Sequence, residues 1–219
     1  MDTYAEKRHQ MVETQIVAHG ICDPAVVEAM RSVPREVYVA PEMQDFAYDD
    51  MALPIAAGQT ISQPYIVALM IAALQPHPED RVLEIGTGSG YAAAVLSQVV
   101  REVYTVERHA ELVELAQRRM DALGYDNVHL LHGDGTLGWP EHAPYDGIVV
   151  AAGGPKIPIA LRTQLVCYGS LVMPVGAGQS QQHLIRVTRD SDTTYSQETL
   201  GGVHFVPLIG AQGWSPSQR

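Results

Sequence analysis

The chain has 219 residues, 46% of them hydrophobic, and carries a formal net charge of −11 at pH 7. That length and apolar content support a sizeable buried core, while the acidic balance argues against a protein that holds nucleic acid by neutralising phosphates, which needs a basic face. No run of 18 apolar residues occurs and no apolar leader core stands in "MDTYAEKRHQ", so neither a spanning helix nor any membrane partner is expected, and a cytoplasmic location is.

In chain order, residues 3–19 read as a helix, with Met11, Gln15 and Ala18 at loose helical spacing and Gly20 as a stop. Asp23 followed by Pro24 predicts the cap and first position of a second helix. Residues 34–57 read as irregular, punctuated by Pro34, Pro41 and Pro54. The stretch 58–65, "GQTISQPY", is polar and uncharged. Ser62 is placed to cap a helix running from about 64 to 74, with Pro64 in its first turn.

From residue 81 short apolar runs alternate with helical patterns: "RVLEIG", "GYAAAVLSQVV", "EVYTVE", "AELVELAQRRMDALG", "NVHLLHGD", "YDGIVVAAG", "IPIALRTQL" and "GSLVMPVG". Such alternation predicts parallel βαβ units and a sheet covered on both faces. "HLIRVTR" and "VHFVPLIG" then read as antiparallel strands added to one edge. The expected fold is α/β, a doubly wound, mostly parallel sheet with antiparallel C-terminal strands and a helical N-terminal extension. The chain is expected to form a single domain over 1–219, with the extension at 1–75, the core at 76–180 and the added strands at 181–210. Met11, Met30, Met70 and Met120 fit core positions, and Trp139 fits packing over the sheet. Asp146 suits the start of the fourth strand. Cys22 and Cys167 form no metal pattern and are expected as free thiols. His77 and His109 are expected in solvent, and no metal site is predicted.

"VLEIGTGSGY" places Gly86, Gly88 and Gly90 between a strand and a helix, where a doubly wound fold binds ligands. The spacing is G-x-G-x-G, not the dinucleotide G-x-G-x-x-G, and by itself it could be a tight turn alone. Three acids sharpen it. Glu84 lies within the first strand, Glu107 ends the second, and Asp134 ends the third. At a strand end Glu107 can accept from both ribose hydroxyls and Asp134 from an exocyclic amine. No Arg or Lys stands in the glycine loop, where a diphosphate would want donors or positive charge. A ligand with a cationic centre tolerates Glu84, which favours S-adenosylmethionine over NAD.

The segments "GQTISQPYIVALM", "LEIGTGSGYAAAVL", "VYTVER", "GDGTLGWPEHAPYDGIVV", "GSLVMPVG" and "HFVPLIG" resemble, in order and from about residue 8 to 210, the protein-L-isoaspartate O-methyltransferases, a family of class I S-adenosylmethionine-dependent methyltransferases. The resemblance implies methyl esterification of the free α-carboxylate of L-isoaspartyl residues in damaged proteins and peptides. S-adenosyl-L-methionine would be the cofactor and S-adenosyl-L-homocysteine the product. It implies that Gly86, Thr87, Gly88, Ser89 and Gly90 contact the methionine part and that Glu84 helps hold its amino group through water. Glu107 would take the ribose, and Asp134 with Gly135 the adenine. Thr60, Ile61 and Ser62 would line the methyl-transfer site, with Ser62 catalytic. Tyr65 and Val206 would contact substrate, the latter within "FVPL" along the substrate backbone. Tyr65 departs from the His that many members carry after "TIS-x-P".

The implied chemistry suits the residues. A carboxylate acceptor is already ionised near pH 7, so positioning and removal of water matter more than a strong base. A hydroxyl can orient one oxygen without neutralising it. The alternative readings are a methyltransferase of the same fold acting on a different carboxylate or a small molecule, and a cofactor-binding adaptor without activity.

Overall fold

The computed structural model describes residues 3–178 and 181–215. Thr3 and Glu6 exchange hydrogen bonds in a capping box that opens α1 (Tyr4–Met11). The helical course continues as a π turn over Val12–Ile16 and a 3₁₀ turn over Val17–His19, and stops at Gly20 with φ 90°. The expected helix is therefore continuous in direction but not in type: the wider turn accompanies full burial of Val12 and Ile16. Asp23 accepts from the N–H groups of Ala25 and Val26 and caps α2 (Pro24–Ser32), as the sequence predicts.

A small antiparallel hairpin follows, β1 (Leu53–Pro54) against β2 (Thr60–Ile61). Its turn places Ala57 and Gly58 at φ 56° and 64°. The next helix, α3 (Pro64–Ala73), corrects one expectation. Its N-cap position is Gln63, and no side chain makes the cap hydrogen bond. Pro64 takes the first helical position, so the cap falls on the residue immediately before it and Ser62 lies one residue too early to serve.

The strands β3 (Arg81–Ile85), β4 (Glu102–Glu107), β5 (Val128–His132), β6 (Tyr145–Val150), β7 (Leu165–Gly178), β8 (Gln181–Arg189) and β9 (Tyr195–Val203) form one sheet in the order β5-β4-β3-β6-β7-β8-β9. The first five are parallel, and β7, β8 and β9 pair antiparallel. The connecting helices are α4 (Tyr91–Ser97), α5 (Ala110–Leu123) and α6 (Ile159–Thr163). This is the doubly wound, mostly parallel α/β fold expected. No helix of the described residues is long and apolar enough to cross a membrane.

The period-two alternation divides the apolar residues between two clusters. Val82, Val103, Val149 and Val172 face one that also holds Met11, Met30, Met70 and Met120 and the buried faces of α1, α2 and α3. Leu83, Tyr104, Ile148 and Leu171 face the other, with Leu161 of α6 and with Trp139 packed against it. Trp139 meets Tyr104 edge to face at 5.6 Å, and Asp146 accepts from the Arg81 N–H at 2.8 Å, tying the starts of β6 and β3. Cys22 and Cys167 are free and exposed.

The last strand differs from expectation. β9 is the polar "YSQETLGGV", and residues 204–210, expected as strand, run irregularly. β9 is the sheet edge and its side chains are mostly exposed, so it carries no apolar alternation to read. The apolar "FVPL" instead turns across the carboxyl ends of the strands: Gly153 N–H donates to the Val206 carbonyl and Leu208 N–H to the Gly153 carbonyl, both at 2.8 Å.

Candidate active site

A cavity of about 870 Å³ opens at the carboxyl ends of β3, β4 and β6. In strand order β3 sits between β4 and β6, so this is the switch point at which an open α/β sheet leaves a crevice. Three segments wall it: the glycine loop after β3, the Thr60–Gln63 segment after the hairpin, and residues 202–209.

The glycine loop turns in left-handed conformations, with φ 93° at Gly86, 54° at Gly88 and 90° at Gly90, which glycine adopts without steric cost. Gly90 does not line the cavity. It precedes α4 and packs so closely on α5 that a Cβ there would lie 2.7 Å from Met120 Cε. Gly86, Thr87, Gly88 and Ser89 do line it. A chain of polar groups fixes the loop to the neighbouring strands: the Thr87 and Thr105 hydroxyls lie 2.6 Å apart, and Thr105 donates to Glu84 Oε2 at 2.6 Å. Parallel register sets Glu84 beside Thr105, so the contact follows from the sheet itself.

Glu84 is buried, and its Oε1 has no partner among the described residues. Burial pushes its carboxyl pKa up to about 8; the Thr105 hydrogen bond pulls down against this, and nearby Glu107 pushes further up. Glu107 ends β4. Its two oxygens accept from the Gly88 N–H at 3.0 Å and the His109 N–H at 2.9 Å, leaving lone pairs for a ligand's hydroxyls. His109, expected in solvent, lines the cavity at the start of α5, with its Nε2 buried and unpartnered among the described residues. Sequence alone does not reveal this, since the position that precedes a helix at a strand end is visible but its burial is not.

Asp134 does not line the cavity, although Gly135 does. Its Oδ1 accepts from the N–H and hydroxyl of Thr136, and its Oδ2 from the Ala211 N–H at 2.7 Å. The carboxylate thus holds the chain near 211 against the segment after β5. Tyr65 also lies away from the cavity: its ring packs 5.5 Å from His19, on the helical side. Thr60, Ile61, Ser62 and Val206 do line it.

Among the described residues lining the cavity, the Asp, Glu, Lys and Arg side chains are Glu84, Glu107 and Arg108. The Thr60–Gln63 wall is uncharged. One cavity therefore joins a carboxylate-bearing floor to a hydroxyl-bearing, uncharged wall.

A family model described as "Protein-L-isoaspartate(D-aspartate) O-methyltransferase (PCMT)" matches residues 6–213. The chain is 59% identical over 208 residues to "Protein-L-isoaspartate O-methyltransferase 2" of Pelobacter propionicus, spanning 95% of this chain and 92% of that protein. It is also 59% identical over 210 residues to "Protein-L-isoaspartate O-methyltransferase 1" of Geotalea uraniireducens, spanning 96% of each. Among solved structures, one named protein-L-isoaspartate O-methyltransferase superposes with a TM-score of 0.85 at 30% identity, over 94% of this chain and 67% of that one. A Plasmodium falciparum structure titled as such an enzyme in complex with S-adenosyl-L-homocysteine superposes with a TM-score of 0.78 at 25% identity, over 92% and 98%. The chain belongs to the protein-L-isoaspartate (D-aspartate) O-methyltransferase family.

Proposed function

We infer that this protein methylates the free α-carboxylate of L-isoaspartyl residues in damaged proteins and peptides, using S-adenosyl-L-methionine, and so acts in protein repair. The observation that carries this reading within the family is the single cavity that joins the Glu84–Glu107 floor to the Thr60–Ser62 wall. The residues fit the cofactor: the unpartnered, buried Oε1 of Glu84 suits an ammonium group, and the free lone pairs of Glu107 suit a ribose diol. Bound S-adenosyl-L-methionine supplies a methyl group on a sulfonium.

The remaining work falls to this chain. Gly86, Thr87, Gly88 and Ser89 shape the floor for the methionine part. Ser62 orients one oxygen of the acceptor carboxylate by donating its hydroxyl proton, while Thr60, Ile61 and Val206 hold the acceptor and exclude water. Gly135 borders the adenine end, and Asp134 beside it, already accepting from the Ala211 N–H through Oδ2, keeps a lone pair for the exocyclic amine. A cytoplasmic location belongs to the same reading and is supported by two exposed cysteines that are free.

The test offers labelled S-adenosyl-L-methionine with two peptides that differ only in an isoaspartyl or aspartyl linkage. Base-labile label on the isoaspartyl peptide alone is expected. Cofactor binding with no transfer to that peptide would reject the reading in favour of another acceptor.

A further inference from the structure

We propose that Arg35 is a positioning residue whose guanidinium sets the acceptor loop against the cofactor loop. The proposal rests on the assignment of residues 60–63 to the acceptor side.

Arg35 is 0% exposed. Its Nε donates to the Ala47 carbonyl and its Nη2 to the Ser62 carbonyl, each at 2.7 Å. Its guanidinium carbon lies 4.8 Å from the centre of the Tyr91 ring. None of these partners is a carboxylate. The adjacent acid, Glu36, turns to Arg8 and to the Tyr48 hydroxyl instead. A cation buried without a counter-ion is costly, and a neutral side chain of similar volume would fill the same space with less desolvation. What the guanidinium gains there is two charge-assisted bonds to main-chain carbonyls and one aromatic face.

Those three contacts join three parts of the molecule. Ala47 belongs to the N-terminal layer, Ser62 to the acceptor wall, and Tyr91 is the first residue of α4, next to the glycine loop and itself a cavity residue. The acceptor wall needs such support. Its strands β1 and β2 have two residues each, and no side chain caps α3 where the wall ends. A guanidinium is a rigid planar fork that can serve two carbonyls in different directions; a lysine ammonium on a flexible stem does not reproduce that geometry.

Arg35→Lys and Arg35→Gln in the full chain test this, with Arg35→Lys carrying the test if the Gln variant does not fold. The expected result is a folded Lys variant whose dissociation constant for S-adenosyl-L-homocysteine stays within about twofold, since a lysine keeps a cation near Tyr91, and the glycine loop, Glu84 and Glu107 make no bond to Arg35. Its kcat/KM for an isoaspartyl peptide should fall roughly 10- to 100-fold, the scale of a misplaced reacting group. Amides 59–63 should exchange with deuterium faster while those of β3 and β4 do not. Combined with Ser62→Ala, the losses should be less than multiplicative, because both act through one segment. A folded Lys variant with unchanged kcat/KM and unchanged loop exchange overturns the proposal, as does a loss that multiplies with that of Ser62→Ala. If Ser62→Ala alone is silent while Arg35→Lys slows transfer and loosens the loop, the hydroxyl role of Ser62 falls and positioning by Arg35 stands.

Discussion

Glu84 and Ser62 line one cavity and differ in what their surroundings ask of them. Glu84 has an ordinary pKa of 4.5 when exposed and about 8 in the fold, because burial penalises its charged form. The folded state therefore holds a proton that the unfolded chain has released over that interval, so stability falls as pH rises between about pH 5 and pH 8. Glu84→Gln, which cannot titrate, should flatten that decline in cofactor-free protein; thermal midpoints across this pH range check it, and an unchanged slope would mean that Glu84 is ionised in the fold. Ser62 has a different burden. With the cap position at Gln63, its hydroxyl owes nothing to the helix. Ser62→Ala should leave cofactor affinity and the thermal midpoint nearly unchanged. Methyl transfer should slow by about 1–3 kcal/mol, roughly 5- to 150-fold, if one hydrogen bond to the reacting carboxylate is lost. Equal turnover numbers for the two proteins would remove Ser62 from the reaction.

At the scale of elements, legibility followed burial on both faces. β4, "EVYTVE", spans the residues its apolar run indicates, since a central parallel strand has little exposed side to interrupt it. β9 was illegible because it is an exposed edge. Asp134 was legible as an acid at a strand end but not as a clamp, because its partner Ala211 is 77 positions away in sequence. The clamp is testable. Asp134→Ala removes an acceptor from the Thr136 N–H, the Thr136 hydroxyl and the Ala211 N–H at once. It should cost about 1–3 kcal/mol in urea unfolding and speed deuterium exchange at 211–214 before any other segment. Protection there equal to that of the parent protein would show that the segment is held by other contacts, such as the Trp214 Nε1 bond to the Gly153 carbonyl.

Over the whole molecule, the charge of −11 opposes an anionic substrate, while the Thr60–Gln63 wall carries no charge of its own to offset it. Raising ionic strength from about 0.01 to 0.15 M shortens the screening length from about 30 to 8 Å. The kcat/KM for an isoaspartyl peptide rich in Asp and Glu should rise a few-fold over that range, and that for a Lys-rich peptide should fall. The same salt response for both peptides would argue that the net field plays no part in encounter. The alternating strands and helices, the glycine turn, and the acids in β3 and at the end of β4 are readable from the amino-acid order, because each is a local pattern of period, conformation or spacing. The packing of Tyr65 on His19, the clamp of Asp134 on the C-terminal segment, the buried Nε2 of His109 at the cavity and the burial of Arg35 with its bond to the Ser62 carbonyl all arise from the three-dimensional arrangement. Those outcomes depend on which distant residue arrives beside each group, and local periodicity carries no record of that.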